Sequence, residues 1–511
     1  MKENLTDLSR EDSSRTRRSR RRRDGSGVRR GDGSAVSLLS HNLRRGIRWD
    51  GFGVPTGVSK MGGVYVKNIF QHYLYRRSCG EMEVCMKCRL SICLIALICL
   101  SLVFSGCAST GGTCEASDLM ADIHAAKRPA SPAPPDEAIS KEINRFSAEL
   151  LKASAANEGN VMISPASVYL ALAMTLNGAD GETKAAMLKV LADEGLTVDM
   201  INKASRNWTN LLTKTGSKTT LTIANSIWFD DNFTPYKPFL QSNADFFAAD
   251  ARKLDFQDKD TPQIINSWVK DATRGTIDKI VESIDQDVVM YLINAIYFKS
   301  DWQTPFEKNN TRDRTFTTPN GTVKTAFLHR IGQMAYFSDN EATGIALPYD
   351  DGQFAYFALL PDGQTTPRQW LAKQDQASLF DNIAGMISQK ANSNVELAMP
   401  KFEAHYEDSL LNELTQLGME IAFDPNRADF SQMNEQHTKD LYISEVVHKT
   451  FIRVDEKGTE AAAVTSVVEE KSCMPISNKQ LILDRPFLYG IMDLKTGMPL
   501  FVGIMENPAA K

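Results

Sequence analysis

The chain has 511 residues, of which 42% are hydrophobic and 24% charged. These values sit near globular averages, exclude a fibrous or wholly disordered protein, and leave room for two or three ordinary domains or one large domain with appendages. The net charge of −5 is unevenly spread: residues 1–85 carry 18 Lys and Arg against 9 Asp and Glu, while the remainder carries 40 against 54. An acidic main body argues against non-specific nucleic-acid binding.

The first 85 residues are rich in Arg, Ser and Gly and include the run Arg20-Arg21-Arg22-Arg23. Behind them, Met86-Lys87-Cys88-Arg89 leads into fifteen uncharged residues, Leu90 to Phe104, and then Ser105-Gly106-Cys107. A basic start, a short apolar run and small residues form a secretory signal over 86–106, too short to span a bilayer. Cys107 after Ser105-Gly106 resembles a bacterial lipobox, in which that Cys is lipidated and becomes the mature N-terminus; Phe104 departs from the Leu more usual there. The expectation is an exported, membrane-anchored lipoprotein, periplasmic or on the cell surface. A signal acts at a nascent N-terminus, so residues 1–85 read as a stretch ahead of the true start at Met82 or Met86, or as a disordered basic segment. Residues 107–135, ending in Pro132-Ala133-Pro134-Pro135, read as a Gly/Ala/Ser/Pro tether.

A large domain is expected from 136 to 511. Seven of the eight Cys lie at or before position 114 and only Cys473 lies beyond, so no disulfide and no Cys-based metal cage forms inside it. Ile139, Ile143, Phe146 and Leu150 mark one helix face. Ser164-Pro165 caps a second helix that runs through Val168, Leu172 and Leu176 to Gly178. Thr220–Phe229 and Val288–Phe298 are strands. Ile345–Tyr349 and Phe354–Leu360 form a hairpin around Asp350-Asp351-Gly352, and Phe487–Met492 and Pro499–Met505 form another. Leu410, Leu414 and Leu417 predict a late helix before Gly418. Helices come first and strands dominate later, which makes the fold class α+β with large antiparallel sheets. The common catalytic motifs are absent, and neither a cofactor nor a metal site is expected; the protein reads as no enzyme.

The informative stretch is Asp455-Glu456-Lys457-Gly458-Thr459-Glu460 followed by Ala461-Ala462-Ala463-Val464-Thr465-Ser466-Val467-Val468, a charged and flexible entry into eight residues without charge, Pro or Gly. Three consecutive Ala are weak strand formers. They suit a strand that slides between two others, because Thr459, Ala461, Ala463 and Thr465 share one face and are all small.

Here the chain resembles the serpin family, over roughly 136–511. Glu456–Ala463 is similar to the hinge of inhibitory serpins, Asn160–Ser167 to the family's early shutter segment, and Asn294–Trp302 to the strand leading to the breach Trp. Ala428–Ser431, Val447–Lys449, Asp484–Phe487 and Leu500–Gly503 match further segments in order and spacing. The resemblance implies a serpin-like fold: a large, mostly antiparallel central sheet, further sheets, a helix cluster and an exposed reactive loop. It also implies a suicide-substrate inhibitor, whose loop is cleaved and inserts into the central sheet.

Carried over residue by residue, the hinge is Glu456, Gly458, Thr459, Glu460, Ala461, Ala462 and Ala463. The shutter is Ser164, Ser167, Asn294 and His448, and the breach is Trp302, Lys401 and Glu456. Counting fifteen residues from Gly458 places the reactive bond at Ser472-Cys473; a loop one residue shorter selects Lys471-Ser472, which trypsin-like proteases prefer. Cys473 would be an exposed free thiol. The implied partners are serine endopeptidases, trypsin-like or elastase-like, with papain-like cysteine proteases as a further class, and the chain is expected to act as a monomer. Two other functions stay open on sequence alone, a non-inhibitory serpin-fold carrier or chaperone and a surface ligand-binding lipoprotein.

Overall fold

Residues 116–192, 195–284, 288–388, 392–459 and 479–510 are described by the computed structural model. They belong to a unit that runs from Ser109 to Lys511. The reactive bond, Glu460–Ala463 and Cys107 lie outside the described residues.

Helix α1 (Glu137–Ser154) starts where the Asp136 carboxylate accepts the Ala138 N–H, and its apolar face buries Ile139, Ile143, Phe146 and Leu150. Helix α2 (Pro165–Leu176) is capped by Ser164, carries Pro in its first turn and is apolar on nearly every side. Such a helix is stable only inside the protein, and α2 is buried along its length between the two main sheets. Helices α3 (Gly181–Leu191), α4 (Val198–Leu212) and α5 (Lys237–Phe247) complete this cluster. Helix α6 (Thr261–Ala272) covers a separate apolar patch that contains Trp228 and Ile293.

The central sheet contains β1 (Ser117–Asp118), β3 (Thr219–Asp230), β4 (Asp250–Leu254), β5 (Met290–Asp301), β11 (Phe402–Ser409), β12 (Val447–Val454) and β13 (Gly458–Thr459). Its order is β1-β4-β3-β5-β13-β12-β11. The second sheet runs β14 (Lys479–Ile482), β10 (Asn392–Pro400), β7 (Gly321–Ser338), β8 (Ala342–Pro348), β9 (Phe354–Pro361), β15 (Phe487–Asp493), β16 (Met498–Met505) and β2 (Val161–Ile163), with β6 (Arg312–Thr318) paired to β7. Both hairpins expected from the sequence are present as β8–β9 and β15–β16, each antiparallel. Strands β9, β15 and β16 are buried along their whole length, as strands covered on both faces must be. The architecture is α+β, as the helix and strand patterns predict.

Two expectations need correction. The late helix is one α turn, α9 (Leu411–Leu414), which widens into a π turn over Thr415–Met419. Gly418 sits there at φ 110°, a conformation that a side chain would strain. Short helices α7 (Pro367–Lys373) and α8 (Leu379–Ser388) precede it.

The other correction concerns the tether, because its second half is docked on the domain. Strand β1 pairs antiparallel with β4, Ser117 opposite Lys253. Leu119, Met120 and Ile123 pack against the main core. The Ala126 N–H donates to the Asp245 carboxylate at 2.6 Å, and Arg128 Nη1 donates to Asn210 Oδ1 at 2.9 Å. Composition alone misses this, because three apolar residues and the open backbone groups of an edge strand are enough to hold the segment.

Candidate functional site: the hinge, breach and shutter

The site is built around the turn that follows β12. The Asp455 carboxylate accepts the N–H groups of Lys457 (2.8 Å) and Gly458 (3.2 Å), and the Asp455 N–H donates to the Gly458 carbonyl at 3.0 Å. An Asp bonding the backbone two and three residues on makes a tight turn, which sends the chain back along β12 as β13. The expected flexible, charged entry is therefore an ordered reversal, with Glu456 and Gly458 buried in it.

Gly458 and Thr459 form a strand antiparallel to both neighbours, Thr459 opposite Ser300 of β5 and Val454 of β12, and Gly458 opposite Asp301. Among the described residues, β13 is what joins β5 to β12. Gly458 is required by close approach: a Cβ there would lie 2.0 Å from the Ser300 carbonyl oxygen and 2.8 Å from Asp301 Cα. Both are backbone atoms and cannot step aside. Thr459 is 2% exposed, and its hydroxyl shares a 2.5 Å hydrogen bond with the Tyr349 hydroxyl.

The breach residues meet above β13. Trp302 is buried; its backbone N–H donates to the Lys457 carbonyl at 2.7 Å and its indole N–H to the Asp455 carbonyl at 2.9 Å. Its ring stacks on Tyr349 with centroids 4.7 Å apart. Lys401 Nζ lies 2.8 Å from Glu456 Oε2, and the Thr311 hydroxyl donates to Oε1 at 3.0 Å. Burial pushes the Glu456 carboxyl up, but the hydrogen bonds from Lys401, the backbone and Thr311 outweigh it and hold it below the usual range. The Lys401–Glu456 pair thus closes the outer end of the turn.

The four shutter residues also come together. The Ser164 backbone N–H donates to His448 Nε2 at 3.0 Å, and the Ser164 hydroxyl donates to the Leu500 carbonyl at 2.7 Å. The Ser167 hydroxyl donates to the Asn294 side-chain oxygen, and Asn294 donates in turn to Asn225. His448 is fully buried, and burial lowers its pKa to about 4. The imidazole is therefore neutral at pH 7, and Nε2 is an acceptor.

Several residues of the site escaped the sequence reading. Asn225 faces Asn294 across β3 and β5, and Thr450 bonds the Met162 carbonyl from β12. Polar residues inside otherwise apolar strands were the available signal. Tyr349 sits in a turn of the other sheet, and nothing local marks it. Among the described residues no three His, Cys, Asp or Glu gather to hold a metal ion.

Known proteins resemble this chain in sequence and fold. The family model described as Serpin (serine protease inhibitor) matches residues 141–508. An uncharacterized serpin-like protein of Thermococcus kodakarensis is 31% identical over 386 residues, covering 73% of this chain and 86% of its own. The human leukocyte elastase inhibitor is 30% identical, covering 73% of this chain and 100% of its own. The native-state crystal structure of the thermophilic serpin tengpin aligns with a TM-score of 0.71 and 39% identity, over 77% of this chain and 100% of tengpin. A family match over most of the domain, with relatives covered almost end to end, makes this chain a member of the serpin family.

Proposed function

We propose that the protein is a suicide-substrate inhibitor of serine endopeptidases. The observation that carries this reading is β13: the hinge residues Gly458 and Thr459 already lie between β5 and β12, antiparallel to both. Beyond Glu460, the residues Ala461 to Val468 are uncharged and small enough to continue that strand. After a protease cleaves the loop and becomes acylated, the freed segment inserts and carries the enzyme with it. A strand entering along β5 gains on the order of ten backbone hydrogen bonds at about 1 kcal/mol each. That is enough to oppose the distortion of a bound protease. The human relative's name, an elastase inhibitor, supports the same class of target.

The reactive bond in this reading is Ser472-Cys473, with Lys471-Ser472 as the second register. Lys471→Ala should abolish inhibition of trypsin-like enzymes and spare elastase-like inhibition if the second register holds. The signal and lipobox pattern ending at Cys107 supports a lipid-anchored, exported inhibitor, which intact mass of membrane-extracted protein would test.

Two measurements test the function. A panel of serine proteases should yield a covalent complex on a denaturing gel. Protein nicked in the loop should melt far above the intact form. A nicked form no more stable than the intact one, with no complex, would rule the inhibitor out.

A further inference from the structure

Resting on the inhibitor reading, we propose that the Tyr349 hydroxyl is a positioning group that seats the hinge before any cleavage. With the missing side chain of Gly458, it sets the register in which the loop enters the sheet.

Three neighbouring tyrosines make the case. Tyr349, Tyr356 and Tyr489 are all fully buried in one aromatic cluster with Trp302. The hydroxyls of Tyr356 and Tyr489 have no hydrogen-bond partner among the described residues. Tyr349 has one, the Thr459 side chain. Burial also pushes the Tyr349 hydroxyl far above its usual pKa, so it stays a neutral phenol able to donate or accept. If the hinge leaves the sheet, Tyr349 loses this partner, and an orphaned buried hydroxyl is unfavourable.

The contact is selective for register. Tyr349 belongs to the turn after β8 and is tied to the end of β5 by its bridge to Trp302 and by the Asp350 N–H, which donates to the Asp301 carbonyl at 2.9 Å, so it is fixed to one wall of the gap that the loop enters. Residues on the Thr459 face recur every second position. A two-residue slip would bring either Lys457 or Ala461 to Tyr349, a charge or a methyl group, and neither reproduces the hydroxyl pair. A one-residue slip would put a side chain into the Gly458 position against the Ser300 carbonyl, where there is no room. Only one alignment satisfies both positions.

The test is a double-mutant cycle with Tyr349→Phe, Thr459→Val and the pair, each read in two ways. Tyr349→Phe keeps the stack on Trp302 and removes only the hydroxyl. The ratio of covalent complex to cleaved inhibitor should fall about fivefold in each single variant, the worth of one hydrogen bond, and no further in the double. Hydrogen exchange of the 454–459 backbone in the intact protein should speed up to the same extent in all three. Losses that multiply in the double variant, or exchange unchanged in Tyr349→Phe, would overturn the role of Tyr349. If wild type traps no protease at all, the inhibitor reading falls, and the exchange measurement alone still decides whether Tyr349 seats the hinge.

Discussion

Replacing Thr459 by Arg perturbs the hinge where the structure is least tolerant. Thr459 is 2% exposed, faces Tyr349 and is paired on both sides. The variant has two options. Staying seated buries a cation without a carboxylate partner, because Asp301 already lies 3.5 Å from Lys457; that costs several kcal/mol even after snorkelling. Leaving the sheet gives up the Tyr349 bond and the ladder bonds to Ser300 and Val454, about three bonds or about 3 kcal/mol. The cheaper route is to unseat: a burial cost of about 5 kcal/mol against about 3 kcal/mol of bonds leaves roughly a few per cent of the protein seated. In the proposed mechanism, insertion then starts from outside the sheet, while hydrolysis of the acyl-enzyme keeps its own rate. The variant should be cleaved normally and release active protease, so that a denaturing gel shows cleaved product in place of covalent complex. The intact fold should be little affected, since β13 is only two residues long and its neighbours β5 and β12 are also paired to β3 and β11. Trapping as efficient as wild type would refute the reasoning.

Other positions give independent outcomes. Gly458→Ala places a Cβ 2.0 Å from the Ser300 oxygen, so it should unseat the hinge without adding charge; proteolysis at 455–459 should quicken, and unchanged protection would contradict the fit. Lys401→Met leaves Glu456 buried with Thr311 as its remaining side-chain partner, and should lower stability by about 1–2 kcal/mol, discounted because Lys401 is partly solvated; a neutral effect on the denaturant midpoint would show the pair to be dispensable. His448 sets a pH dependence. Its folded pKa, about 4, lies below the ordinary 6.5, so the unfolded chain takes up the proton first as pH falls. Stability from this group is complete above about pH 6.5 and declines towards pH 4, by about 2 kcal/mol at pH 5. His448→Gln, which keeps an acceptor near Nε2 but cannot titrate, should flatten the melting temperature between pH 7 and 5; an equally steep profile would exclude His448 as the cause.

Much of the molecule was legible from local pattern. The four-, three- and four-residue steps between Ile139, Ile143, Phe146 and Leu150 had to make an amphipathic helix, Ser164-Pro165 had to start another, and alternating or continuous apolar runs marked β3, β5 and the two hairpins. These signals act over one or two turns of chain, so they survive without tertiary context. Of the hinge, Gly458 and Thr459 form β13, while the uncharged run from Ala461 to Val468 lies outside the described residues.

What only the tertiary structure decided is how residues far apart in sequence pair. Ser164 and His448 are 284 positions apart, and Tyr349 and Thr459 are 110 apart. A buried hydroxyl or imidazole needs a partner, but the sequence does not say which segment folding will bring to it. The same limit hid the docking of residues 117–128, where a tether-like composition lies along an edge strand that offered its backbone. It also hid the seated hinge: Asp455-Glu456-Lys457 looks mobile as a string of charges, and becomes a fixed turn only because Trp302, Lys401 and Ser300 close around it.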